Sequence, residues 1–146
     1  MLGVRPWGAL FFDIEPTLVT ECAWRPGARP ALQQLHDGGL RLGVIANTGT
    51  AMRTEMIATF PAGFGFDLFE DGLVVLSSEV GVQKPDARIF AVALSRAQLA
   101  PERTLFAGED PVEILAAQRI GMRALRLTHP PGDLELLVEA AFGKRP

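Results

Sequence analysis

The stretch LFAGEDPVEILAAQRIGMRALRL, residues 105–127, holds one repeat of the fold. Arg103 to Gly108, RTLFAG, reads as a strand. Pro111 then suits the first turn of a helix, because its missing N–H would be unpaired there in any residue. The helix pattern runs to Ile120, Gly121 ends it, and Arg123 to Leu127 reads as the next strand. A strand, a helix and a second strand in so short a span form a crossover between parallel strands.

The same alternation extends in both directions. Gly8 to Ile14 is an apolar strand with no polar alternation, as expected of a strand buried on both faces. Arg29 to Asp37 is a helix with Ala31, Leu32 and Leu35 on one side, ended by Gly38-Gly39. Leu40 to Ala46 is a strand, and Thr50 is placed to cap a helix running to about Phe60, before Pro61. Gly72 to Ser77 is a third strand in chain order. Asp86 caps a helix whose inner face carries Ile89, Phe90, Ala93, Leu94 and Ala97. Asp133 caps a last helix through Phe142. The irregular piece PAGFGFDLFED, residues 61–71, has phenylalanines suited to packing beneath a loop. The expected fold is therefore α/β: a Rossmann-like three-layer sandwich around a parallel sheet of about five strands, in one domain over residues 1–146.

Composition narrows the function classes. With 14 basic and 17 acidic residues the net charge is −3, which offers no basic footprint for nucleic acid and no polybasic membrane signal. A 48% hydrophobic content supplies a full core. Cys22 is the sole cysteine, so no intrachain disulfide forms, and a cytoplasmic setting is expected. The N-terminus lacks the long apolar segment of a secretory leader, and no apolar run reaches the ~18–20 residues that span a bilayer.

In parallel sheets ligands bind beyond the carboxyl ends of the strands. Four strand ends here deliver polar groups to that edge: Asp13 and Glu15, Asn47 and Thr48, Ser77 and Ser78, Glu109 and Asp110. A carboxylate at a strand end can act as a nucleophile, and a second acid two positions on can move protons. Lys84, between a strand end and a helix start, is a cation that could hold a phosphate or neutralise a carboxylate. Glu109, Asp110 and Glu113 offer oxygen ligands to a hard cation such as Mg²⁺, although acids in a helix's first turn also complement its dipole.

Together these segments resemble the haloacid dehalogenase-like superfamily of hydrolases, most of which are phosphatases. The resemblance runs from Ala9 to about Leu127 and rests on four motifs in order: LFFDIEPTLV (10–19), LGVIANTGT (42–50), VGVQKPDARIF (80–90) and LFAGEDPVEILAAQRIGM (105–122). It implies that Asp13 is the nucleophile of an aspartyl-phosphate intermediate and that Glu15 is the acid/base. Lys84 would hold the phosphoryl group beside Asp13, with Ala46, Asn47 and Thr48 at the phosphate-binding position. Mg²⁺ would be held by Asp13, the Glu15 carbonyl and Glu109, with Asp110 or Glu113 in support.

Three positions depart from that pattern. Glu15 and Glu109 stand where the family has Asp, and Ala46 where it has a hydroxyl residue. A displacement of ~1 Å can cost on the order of 100-fold in rate. Only about 30 residues separate Asp13 from Ala46, too few for a cap domain, so an open active edge is expected. An open edge suits a macromolecular substrate or a second subunit serving as a lid; the expected partner is a small phosphorylated substrate or a phosphorylated macromolecule. Trp24, near the edge, suits either packing or contact with such a partner. The leading reading is a Mg²⁺-dependent phosphohydrolase; the alternative is a non-catalytic module that binds a phosphorylated ligand or a protein. Metal-free dehalogenase chemistry fits the acids at 109, 110 and 113 poorly.

Overall fold

The computed structural model describes residues 7–21, 23–59, 66–128 and 132–143; Cys22, Phe60 and Phe64 lie outside them. In chain order, strand β1 (Ala9–Phe12) leads into a hairpin of β2 (Val19–Thr20) and β3 (Ala23–Trp24), then helix α1 (Ala28–Asp37). Next come β4 (Arg41–Ala46), α2 (Arg53–Thr59), β5 (Val74–Leu76) and the short α3 (Ser77–Val80). The chain continues through α4 (Ala87–Ala97), β6 (Thr104–Gly108), α5 (Pro111–Arg119), β7 (Arg123–Arg126) and α6 (Gly132–Ala141).

The main sheet has the order β5-β4-β1-β6-β7, and every neighbouring pair is parallel. This is the Rossmann-like α/β sheet expected from the sequence. Side chains of a strand alternate between faces, and β1 feeds two cores accordingly. Leu10 and Phe12 enter one layer with Leu32 and Leu35 of α1, Met56 of α2, and Leu134 and Leu137 of α6. Ala9 and Phe11 enter the other with Ile89, Phe90 and Ala93 of α4 and Ala117 of α5. Leu10, Phe11 and Phe12 are fully buried, and each such side chain contributes roughly 1.5–3 kcal/mol. In the second layer Phe90 meets Phe106 edge-to-face, with centroids 5.3 Å apart. The chain leaves β1 for β4 and β5 on one side and returns to β6 and β7 on the other. That reversal opens a crevice beyond the carboxyl ends of β1 and β6.

The element boundaries correct several expectations. Helix α2 begins at Arg53, not after Thr50: the Met52 N–H donates to Glu55 Oε1 at 3.1 Å, so a carboxylate inside the first turn satisfies the helix start. The third expected strand shrinks to β5, because Asp71–Leu73 forms a 3-10 turn and Ser77 opens α3. Asp133 lies inside the first turn of α6, which starts at Gly132. The β2–β3 hairpin occupies what reads as a loop, since two-residue strands carry no measurable period. Phe66 and Phe69 of the irregular segment are buried and meet edge-to-face at 6.4 Å. Asp86 and Asp110 cap α4 and α5 through the backbone N–H groups of Arg88 and of Val112 and Glu113.

Gly43 lies in β4 between the central strand and β5. A Cβ there would meet the Leu73 carbonyl oxygen at 2.6 Å and the Phe11 ring at 2.7 Å. A backbone atom cannot swing aside, so Gly43→Ala is expected to destabilise the fold by about 2 kcal/mol, roughly 5–8 °C in Tm. A thermal melt indistinguishable from that of the parent would show that the sheet is looser at this point than described.

Candidate active site

The carboxyl end of β1 delivers Asp13. Its backbone N–H still donates to the Ala107 carbonyl at 3.0 Å, which fixes the residue at the edge of β6. The residue is 8% exposed. Its Oδ1 accepts a hydrogen bond from Lys84 Nζ at 2.9 Å. Lys84 is itself 2% exposed. Its ammonium also lies 2.8 Å from Glu113 Oε1 and 5.2 Å from the centre of the Phe106 ring. The Glu113 contact is a close ion pair rather than a well-directed hydrogen bond, since Oε1 finds no partner by geometry.

A buried ammonium is stable only when paired, and three elements supply the pairing. β1 brings Asp13, the first turn of α5 brings Glu113, and β6 brings the aromatic face. The loop that carries Lys84 is fixed by Asn47. The Lys84 N–H donates to Asn47 Oδ1 at 2.8 Å, and Asn47 Nδ2 donates to the Lys84 carbonyl at 2.9 Å. Burial raises the Glu113 carboxyl above its ordinary range; Lys84 pulls it back, and the charges of Asp13 and Asp110 push it further up.

Asp13, Glu15, Glu109, Asp110 and Glu113 line one cleft of about 400 Å³ together with Pro16, Pro111 and Arg126. The fold thus brings the candidate acids of the first and fourth motifs together. Glu15 is exposed on the cleft wall. Asp110 Oδ1 accepts from Val112 N at 2.8 Å and Glu113 N at 3.4 Å, so this acid is also the cap of α5. Ala46, Asn47 and Thr48 of the second motif do not line this cleft. Ala46 is 3% exposed, with its methyl in the α1–α2 core layer. Thr48 joins the ends of β4 and β5: its N–H donates to Ser77 Oγ at 2.7 Å, and its hydroxyl donates to Ser78 Oγ at 2.8 Å and accepts from Ser78 N at 3.0 Å. Trp24 packs against the same core layer, with the Arg29 guanidinium 5.9 Å from its ring centre.

Among the described residues no three His, Cys, Asp or Glu side chains form a closed metal cluster. Mg²⁺ needs no such cage: it keeps several waters and takes one or two carboxylates. An all-oxygen wall that includes Asp13, Glu15 and Glu109 fits that habit. No helix among the described residues is long and apolar enough to cross a membrane.

Arg126 is the cleft residue that sequence reasoning does not find. Its Nε donates to the Glu109 carbonyl at 2.7 Å. In RALRL it reads as an ordinary polar strand residue, and only the sheet register places it at the acids.

The model of the haloacid dehalogenase-like hydrolases matches residues 9–121. A glyceraldehyde 3-phosphate phosphatase of Methanothermobacter thermautotrophicus is 39% identical over 101 residues, which are 68% of this chain and 42% of that protein. A phosphoserine phosphatase of Thermus thermophilus is 31% identical over 101 residues, 68% of this chain and 39% of that protein. The chain thus matches about two fifths of the length of these curated relatives. The crystal structure of an uncharacterized protein from Corynebacterium glutamicum shares the fold with a TM-score of 0.69 at 15% identity, over 95% of this chain and 97% of that one. With a family model across most of the sequence and the four motifs at the strand ends of the matching fold, the chain belongs to the haloacid dehalogenase-like hydrolases.

Proposed function

We propose that this chain hydrolyses small phosphate monoesters through Asp13, with Mg²⁺ as cofactor. The observation that carries the reading is the 2.9 Å contact between Asp13 and the buried Lys84 at the end of the central strand, inside the acidic cleft. Two relatives are named for phosphatase activity on small phosphorylated compounds, which agrees with it. Lys84 fixes one carboxylate oxygen of Asp13 and places positive charge beside the incoming phosphoryl group. Asp13 attacks phosphorus, the ester P–O bond breaks, and the departing oxygen takes the proton of the Glu15 carboxyl. The Glu15 carboxylate then takes a proton from water. The water oxygen attacks phosphorus and the bond to Asp13 breaks, releasing phosphate and restoring the carboxylate. Asp13, Glu109 and the Glu15 carbonyl would hold Mg²⁺. Its chemistry would be to offset the charge of five cleft carboxylates against an anionic substrate.

One observation favours a binding role without turnover. The Ala46 methyl is packed in the core, and Asn47 and Thr48 are committed to Lys84 and to Ser77 and Ser78. At the positions where the resemblance puts phosphate binding, 46 to 48, no free hydroxyl is therefore presented. The double variant Glu15→Asp, Ala46→Ser separates the readings: large gained activity over an inert parent would establish the binding role.

Three outcomes are expected of the hydrolase. Phosphate release by the parent should stop with EDTA, return with Mg²⁺, and fall by more than ~10³-fold in Asp13→Asn; a parent inert toward a broad panel of phosphate esters at high protein concentration overturns the reading. Glu15→Gln should lower kcat by roughly 10²–10⁴-fold, the usual worth of a general acid/base, and an unchanged kcat would remove Glu15 from the proton path. Lys84→Met leaves Asp13 and Glu113 without their shared cation. It should cost roughly 3–5 kcal/mol of stability, measured by denaturant unfolding with activity followed in parallel.

A further inference from the structure

We propose that Arg126 is a specificity-determining residue that selects phosphate monoesters carrying a second anionic group, a carboxylate or another phosphate, at the end remote from the scissile bond. The inference rests on the hydrolase reading of the cleft and adds the chemical class of its substrate.

The sheet register carries the argument. Phe12 pairs with Ala107, and Asp13, the next residue, therefore stands level with Gly108. Gly108 pairs with Arg126 on β7. Asp13, Gly108 and Arg126 thus form one row across three neighbouring strands. They also share a face, since Phe11, Phe106 and Ala124, two residues before each, all belong to the α4–α5 layer. Neighbouring strands lie ≈ 4.8 Å apart, so the row spans roughly 10 Å from the nucleophile to the Arg126 backbone. That is the length of a three-carbon phosphate ester plus the reach of a guanidinium.

The middle of the row carries no side chain, because residue 108 is a buried glycine. A Cβ there would meet the Phe106 ring at 3.0 Å and the Asp13 Cβ at 3.6 Å, so a larger residue would press on the nucleophile candidate. The guanidinium is held at the far end by its Nε bond to the Glu109 carbonyl, and among the described residues its terminal nitrogens have no hydrogen-bond partner. Arg29, Arg41, Arg53 and Arg88 each hold a carboxylate. Arg126 shares a cleft with five carboxylates, yet among the described residues no carboxylate oxygen comes within 4.0 Å of it. A planar cation pinned by one nitrogen and otherwise unpaired is a receptor for an oxyanion. The amino-acid side chains of the cleft do not provide that oxyanion, so the substrate does.

The matched pair 3-phosphoglycerate and glycerol 3-phosphate tests this, since they differ only by carboxylate against hydroxymethyl. The parent should favour 3-phosphoglycerate in kcat/KM, and Arg126→Met should reduce that preference by roughly 10- to 100-fold, the scale of hydrogen bonds to a charged group. Arg123→Met, on the same strand but not lining the cleft, should leave the preference as it is. Equal losses on both esters in Arg126→Met, or a parent without preference, overturn the proposal. Calorimetric affinities of the two esters for Asp13→Asn, alone and with Arg126→Met, give a second readout free of turnover. If the parent is inert toward the broad ester panel but Asp13→Asn binds 3-phosphoglycerate more tightly and loses that margin with Arg126→Met, the hydrolase reading fails and the selectivity stands. Binding of neither ester, or of both alike, overturns the selectivity.

Discussion

A single buried ammonium organises the carboxyl edge of this sheet. Moving Lys84 out of water carries a penalty of several kcal/mol unless charges and dipoles close around it. They close from several directions: Asp13 from β1, Glu113 from α5, the Phe106 face from β6 and, through the backbone of its own loop, Asn47 from the end of β4. Each of these groups lies on a separately folded element. The pairing therefore forms only when the sheet order β4-β1-β6 and the seating of α5 are both in place. The nucleophile candidate is thereby oriented as part of the fold itself and needs no bound ligand to fix it.

Around that centre the charge is unbalanced. The cleft wall holds five carboxylates, with Lys84 beneath and Arg126 at the rim. Two like charges ~4 Å apart repel by about 4 kcal/mol at an intermediate dielectric, so an anionic ester would meet a hostile surface. A divalent cation held by the same carboxylates would reverse that field, and this is why a metal belongs in the proposed chemistry even though no closed cage exists among the described residues. Burial raises the Glu113 carboxyl, while the Lys84 ammonium beside it favours the charged form.

Much of this was legible in the sequence because it depends on period and punctuation. Apolar runs without alternation, helices bracketed by Asp86, Pro111 and Gly121, and acids after strands gave the parallel sheet and brought Asp13, Lys84 and Glu113 to one edge. Features that depend on three-dimensional register were not legible. The β2–β3 hairpin is too short to show a period. The start of α2 is set by Glu55 reaching back to Met52, a carboxylate three residues inside the helix. Asn47 and Thr48 read as ligand-facing polar residues, yet their partners are the Lys84 backbone and the serines after β5, 29 to 37 positions away. Arg126 could be found only once Gly108 was known to be its neighbour on β6.

The three departures from the family pattern differ in physical kind. Ala46 is absorbed by packing: its methyl fills core volume on the face away from the acids. The missing hydroxyl therefore creates no hole, and the rigidity it might have supplied comes from the Asn47 clamp and the Thr48–Ser77–Ser78 knot. Glu15 and Glu109 line an open cleft, where a longer arm has space to fold back. Among the described residues only a hairpin and one helix lie between Asp13 and Ala46, so under the proposed reading the choice of substrate falls to residues that line the cleft, Arg126 among them.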